Sequence, residues 1–135
     1  YDPVSHNILV SYRGRSLACE ETGSKSARHL VLGPECNGPD FHYKHRTTCT
    51  GHSNNLVMTR PALFSAIASI HGEGAQYAVG TDDSSKSVFI WDAKIGGFPV
   101  EQLESHPNHV LDVAVEPTSG ILGTLSEGVL KLYRK

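Results

Sequence analysis

Ser87-Val88-Phe89-Ile90-Trp91-Asp92 is the stretch on which the reading of this chain turns. Its β-branched and aromatic residues end at the only tryptophan of the chain, and Asp92 opens a turn through Ala93-Lys94-Ile95-Gly96-Gly97, so the run predicts a strand closed by a turn. At an offset of 42 positions Val129-Leu130-Lys131-Leu132-Tyr133-Arg134 repeats the pattern, with Tyr133 in the place of Trp91. A strand recurring at that offset marks a repeat, and a period of ~40–45 residues is the length of a unit of four short strands.

Working outward from Trp91, residues 76–81 read as a second strand and 62–69 as a first, with His71-Gly72-Glu73-Gly74 as the turn between them. The alanine and leucine of 62–70 would also suit a helix; the glycine turn and the β-branched strands that follow decide for sheet. Asp82-Asp83-Ser84-Ser85-Lys86 makes the tight connection into Ser87, and residues 98–104 supply a fourth strand. Downstream, 110–115, 121–125 and 129–133 give three more strands, separated by Glu116-Pro117-Thr118-Ser119-Gly120 and Ser126-Glu127-Gly128. Upstream, 8–13, 28–32 and 41–50 read as strands of an earlier unit. A polar loop at 14–27 and a second loop from Gly33 to Asp40, rich in proline and glycine, divide them.

Gly51-His52 ahead of a first strand, with Trp91-Asp92 at the end of a third, resembles the WD repeat. The expected fold class is therefore all-β, a partial WD40-type β-propeller. Residues 1–50 form a partial blade with long loops, 51–105 a complete blade, and 106–135 a last blade lacking its outer strand. A propeller ring takes at least ~4 blades, so about three imply a larger propeller, expected to be seven-bladed and closed by a strand borrowed from an N-terminal segment. The start at Tyr1-Asp2-Pro3, in mid-blade, suggests a piece of something longer. A free-standing chain would leave edges open to association.

Composition excludes several classes. A length of 135 residues with 39% hydrophobic content can bury a core, and a net charge of −2 lacks the cation excess that a nucleic-acid groove requires. Charge is uneven: residues 1–60 hold seven Lys/Arg against five Asp/Glu, and 61–135 hold five against nine. Five of the eight histidines lie in the first part, which mild acid would make cationic. Cys19, Cys36 and Cys49 are odd in number and lack C-x-x-C spacing, so a reducing compartment is expected rather than a disulfide scaffold. No apolar run approaches ~18 residues and no signal-peptide pattern is present, so neither a membrane span nor secretion is expected.

Cys36, His42, His45 and Cys49 are competent zinc ligands, but their spacing matches no established finger, and no metal is expected. His52 and His106 stand where the histidine of a WD repeat is structural, held by a serine or threonine and a tryptophan, and Tyr133 must alter or end that chain in the last unit. Asp82, Asp83 and Lys86 belong to a hairpin expected on the rim where propellers bind partners. Arg13, Arg15, Lys25 and Arg28 line the corresponding connection of the first unit, a basic patch suited to an acidic peptide or amphipathic helix. The 82–86 serines have neither a G-x-S-x-G elbow nor a Ser-His-Asp order, and no calcium-loop pattern is present, so no catalytic centre stands out.

Leu9-Val10-Ser11-Tyr12-Arg13, Val79-Gly80-Thr81-Asp82-Asp83, Trp91-Asp92-Ala93, Gly96-Gly97 and the run from Thr124 to Tyr133 resemble the C-terminal propeller of the RING-finger and WD-repeat ubiquitin ligases that act on replication protein A. The resemblance is best over about residues 56–135 and patchy over 14–50. It implies a nuclear protein of the DNA damage response, with a zinc-bearing RING domain outside this segment and a propeller that recognises replication protein A. The RING pattern of cysteines and histidines is absent from this segment, so the implied role here is recognition without catalysis, without a cofactor and without direct contact to nucleic acid. The competing expectation is a WD-repeat scaffold in another nuclear or cytoplasmic complex; a propeller enzyme comes third.

Overall fold

The computed structural model describes residues 1–3, 5–14, 26–53, 60–65, 74–116 and 118–134. Those residues form ten strands and no helix: β1 (Ile8–Gly14), β2 (Ser26–Asn37), β3 (Asp40–Cys49), β4 (Ala62–Ser65), β5 (Gln76–Asp82), β6 (Ser87–Asp92), β7 (Glu101–Gln102), β8 (Val110–Glu116), β9 (Ile121–Ser126) and β10 (Val129–Arg134). They pair antiparallel into three sheets of three, four and three strands, β1-β2-β3, β4-β5-β6-β7 and β8-β9-β10, each strand beside its sequence neighbour. The described residues are all-β.

The expected strand 87–92 coincides with β6, and the strands around it fall within a residue or two of their expected places. The loop expected from Gly33 to Asp40 is instead strand for most of its length. β2 continues to Asn37 and only Gly38-Pro39 turns the chain, with Gly38 at φ 63° as the first residue of a two-residue hairpin requires. Pro34 is tolerated because β1 pairs β2 only as far as Leu32, so beyond it the hairpin has two strands and no third ladder for a missing N–H to break. The outer strand expected at 98–104 shrinks to β7, although Val100 N–H and Leu103 N–H also donate to Ile90 and Val88 carbonyls at 2.8 and 2.9 Å. The outer part of the expected strand 62–69, most of the turn after it, and the loop 15–25 lie outside the described residues.

The middle sheet is buried on both faces, which explains why β5 and β6 read as nearly unbroken apolar runs. Alternation along the strands sends Leu63, Ala78, Phe89 and Trp91 toward the first sheet, where they meet Val31, Cys49 and Leu9. Val79, Val88 and Ile90 point the other way, against Val110, Val113 and Leu122 of the third sheet, with Tyr133 and Val115 at the margin. Each large apolar side chain so buried is worth about 1.5–3 kcal/mol, and loss of register by one residue would exchange the two faces.

Polar contacts lock the first and second sheets together. The turn after Asp92 lies along the end of β3: Gly97 N–H donates to Thr48 O and Thr50 N–H to Gly97 O, each at 2.8 Å, and the Thr47 hydroxyl donates to Ala93 O. Gly96 is needed there, since its φ is 72° and a Cβ would stand 2.8 Å from the Thr48 carbonyl oxygen. At the same end of the middle sheet, where Ala93 N–H donates to Gln76 O at 2.8 Å, the buried Asp2 carboxylate accepts from the hydroxyls of Ser5 and Ser65 and from Gln76 Nε2, and Asn7 Nδ2 donates to Gln76 Oε1 at 3.0 Å. The N-terminal turn is thereby tied to the ends of β4 and β5.

Trp91 is fully buried, and its indole N–H donates to Thr50 O at 2.8 Å. Trp91→Phe keeps an aromatic ring but leaves that carbonyl without its donor, for an expected loss of about 1–2 kcal/mol. Urea denaturation followed by far-ultraviolet circular dichroism measures it, because the variant has lost its only tryptophan fluorophore; an unchanged midpoint would show that the bond adds nothing.

Candidate functional site

The second and third sheets use equivalent positions differently. Across their tight turns Asp82 pairs with Ser87 and Ser126 with Val129, so stepping back along the ladders matches Gly80 with Thr124, and Ala78 opposite Trp91 with Leu122 opposite Tyr133. In the third sheet His106 is buried with one ring nitrogen 3.0 Å from Ser126 Oγ and the other 2.7 Å from Thr124 Oγ1. Whichever nitrogen carries the proton donates, and the other accepts from a hydroxyl, so the ring is held neutral and fixed. Burial, followed by the Lys131 ammonium, lowers its pKa. Tyr133 takes no part: its hydroxyl is shut from solvent with no hydrogen-bond partner among the described residues.

His52 has no such hydroxyls, because Gly80 stands where Thr124 does. The space is filled by His29 from β2, whose Nε2 stands where it would collide with a Cβ on Gly80. His29 and His52 stack with ring centroids 4.2 Å apart and planes 13° from parallel, and both meet Trp91 edge-on at 5.2 and 5.0 Å. Both are buried, and none of their four ring nitrogens has a hydrogen-bond partner among the described residues. Burial, with a smaller repulsion from His52, pushes the His29 pKa down to about 3. Burial also lowers that of His52, against an opposing pull from the Asp82 and Asp83 carboxylates. Parallel planes keep the nitrogen lone pairs from converging on one ion at a ligand distance of ~2 Å, so the pair is an apolar stack rather than a metal cradle.

The connection 82–86 is more buried than a binding hairpin would be. Asp82 and Asp83 are 4% and 7% exposed, which leaves Ser84 and Lys86 as its outward residues. Asp82 is turned inward as a fastening. It accepts from Ser53 N–H at 2.6 Å, Ser85 N–H at 2.9 Å, and the hydroxyls of Ser84 and Ser85 at 2.8 and 2.6 Å. Burial pushes its carboxyl up, but these bonds together outweigh it and hold the pKa below the ordinary value. Asp92 likewise serves its own turn, accepting from Lys94 N–H and Ile95 N–H at 2.9 and 3.2 Å.

Arg13 and Arg28 do not share a rung: Arg28 is opposite Tyr12 and Arg13 opposite Ala27, adjacent steps of an alternating ladder, so the two positions belong to opposite faces. Arg15 and Lys25 lie outside the described residues. The four possible zinc ligands are strung along one hairpin, with Cys36 opposite Phe41, His42 opposite Glu35, His45 opposite Leu32 and Cys49 opposite His29. His42 stands 3.7 Å from Glu35, His45 lies 2.8 Å from the Thr48 hydroxyl, and burial, then the Asp92 charge, pushes the Cys49 thiol up to about 11.

No known protein family, curated protein or solved structure matches the chain. Sequence reasoning singled out His52 and passed over its partner His29. The signal was Gly80 at the place of Thr124, an absent hydroxyl and an absent Cβ at one position. Asp2 was also passed over, and nothing in its local sequence marks it as buried.

Two outcomes follow from the stacked pair. In the unfolded chain a histidine takes up its proton near pH 6.5, whereas folded His29 stays neutral down to about 3. Stability is therefore fully present above pH 6.5 and falls with acid, by up to about 1.4 kcal/mol per pH unit for each suppressed histidine. Denaturation between pH 7 and 5, above the range where Asp82 adds its own acid sensitivity, should show this slope, and His29→Phe should reduce it by about one proton's worth. Gly80→Ala should cost about 1–3 kcal/mol by forcing His29 aside. Gly80→Thr combined with His29→Ala should cost less than the sum of the two single changes, since the space is vacated and His52 gains a hydroxyl; additive losses would place His29 elsewhere.

Proposed function

We propose that this chain is part of a WD40-type propeller whose three sheets are successive blades, and that it works as a protein-recognition module. The observation that carries this reading is positional repetition. A buried histidine precedes the first strand in the second and third units, and a third-strand aromatic, Trp91 or Tyr133, closes each. Successive sheets also stack in one sense. The face of the third sheet opposite its packed one carries Leu130 and Leu132, at positions equivalent to Val88 and Ile90, and they are 63% and 68% exposed. That is the face on which a further blade would sit.

The described residues offer hydrogen-bonded fastenings and buried neutral histidines in place of a nucleophile with its base, which favours recognition over catalysis. The resemblance over residues 56–135 supplies the specific setting: the substrate-recognition propeller of a RING-type ubiquitin ligase, nuclear, acting on replication protein A in the DNA damage response. Ser84 and Lys86, with the basic positions Arg13 and Arg15, are the contact residues of this reading.

The expected outcome is saturable binding of purified replication protein A to the complete propeller, measured by surface plasmon resonance. Lys86→Glu with Arg13→Glu and Arg15→Glu should weaken it at least tenfold. Absence of binding at tens of micromolar would reject the ligase assignment and leave a WD-repeat scaffold of another complex; full binding by the charge-reversed protein would reject these contact residues.

A further inference from the structure

Beyond Leu32 the β2–β3 hairpin leaves the body of the first sheet. β1 pairs with Ser26 to Leu32, whereas β2 and β3 stay paired from Gly33–Lys44 out to Asn37–Asp40. At about 3.3 Å per residue the arm extends on the order of 16 Å past the last rung of β1. β3 is also the outermost strand of its sheet. Only its inner end is covered, by the contacts of Thr47, Thr48 and Cys49 with the turn 93–97, so from Asp40 to Arg46 its outer edge has no strand beside it among the described residues. Such an edge presents a row of backbone donors and acceptors ready to pair with another extended chain.

The two faces of the arm differ in chemistry. Pro34, Cys36, Phe41 and Tyr43 alternate onto one face, where the Phe41 and Tyr43 rings meet edge to face at 5.6 Å and remain 62% and 37% exposed. Glu35, His42 and Lys44 alternate onto the other, with the carboxylate 3.7 Å from both His42 Nε2 and Lys44 Nζ. Arg46, the extra residue at the bulge opposite Val31/Leu32, reaches across to donate to Pro34 O at 3.1 Å. Along the free strand itself the charges are Lys44 and Arg46, with His42 and His45, against Asp40 alone.

We propose that the free edge of β3 from Asp40 to Arg46 binds an extended acidic peptide segment as an added strand, with apolar residues opposite Phe41 and Tyr43 alternating with carboxylates opposite His42 and Lys44. Backbone pairing supplies the affinity of such an addition and alternate side chains the selectivity. Cross-strand pairs of opposite charge and of aromatic with β-branched residues are the favourable ones. A nucleic-acid strand is disfavoured because only two fully charged cations, Lys44 and Arg46, lie along the edge, too few to neutralise a continuous run of phosphates. The site uses only the first sheet, so it holds whether or not the three sheets belong to a propeller.

The test uses the full chain and a fluorescent octapeptide of alternating valine and glutamate. Fluorescence anisotropy should show saturable binding, at least about tenfold weaker when alternate peptide nitrogens are methylated and about fivefold weaker with Lys44→Glu. Phe41→Ser with Tyr43→Ser should weaken it further, and all three positions are exposed enough that circular dichroism should be unchanged. Amide exchange of residues 40–46 should slow on addition of the peptide. Any of four results would overturn the proposal: no binding, equal binding of a valine-lysine peptide, no effect of methylation, or tighter binding of single-stranded oligothymidylate.

Discussion

Burial of Trp91 between two sheets is the constraint from which most of the architecture follows. An indole enclosed on all sides needs an acceptor for its N–H, and here that acceptor is the carbonyl of Thr50, at the end of the preceding sheet rather than in Trp91's own. One hydrogen bond therefore fixes the distance between the first and second sheets and delivers Gly51-His52 to the edge of the ring. The glycine turn at 96–97 makes the same connection from the other side by closing on Thr48 and Thr50. If the indole moved, the ladder of β6, the end of β3 and the two histidines would all lose their common reference.

That reference is shared by two different solutions to one packing problem. Where the strand carries Thr124, a buried histidine is held by hydroxyls, each bond worth about 0.5–1.5 kcal/mol. Where it carries Gly80, the histidine stacks on a second imidazole and four ring nitrogens have no hydrogen-bond partner among the described residues. Desolvating a polar group without a partner costs about 1–3 kcal/mol, so the second arrangement survives on contact area and on the neutrality of both rings. The same neutrality makes it the part of the core most exposed to acid. The two sheets are thus equivalent in backbone and unequal in chemistry, and the inequality begins at one position without a side chain.

Much of this was legible in the sequence, and the part that was not has definable causes. Period-2 patterning with turn chemistry at 82–86, 118–120 and 126–128 sufficed for strands and their order, since local turns set antiparallel neighbours. The region from Gly33 to Asp40 misled because proline and glycine are usually punctuation, whereas a hairpin arm without a third strand tolerates Pro34 at no cost to a ladder. Asp82 and Asp83 looked like surface residues because acids in tight turns usually are. Ser53, from a segment 29 positions away, supplies the backbone N–H that draws Asp82 inward, and no local pattern reports a contact of that span. His29 escaped for the same reason: its partner lies across a sheet boundary.

The surfaces left open are of two physical kinds, and the distinction bears on what each can do. The outer face of the third sheet carries Leu125, Leu130 and Leu132 at its centre, with Asp112, Glu116 and Arg134 at the ends of the same face, and its apolar middle suits stacking by another sheet. The edge of β3 is narrow, and its backbone groups are directional. Its side chains alternate between aromatic and charged, so a chain paired there must match it in register as well as in composition. A stacking face can be satisfied once, permanently, by a neighbouring sheet. An edge set off from the body by a two-stranded arm is free to be occupied and vacated, since pairing there disturbs neither the Trp91 contact nor the histidine stack behind it.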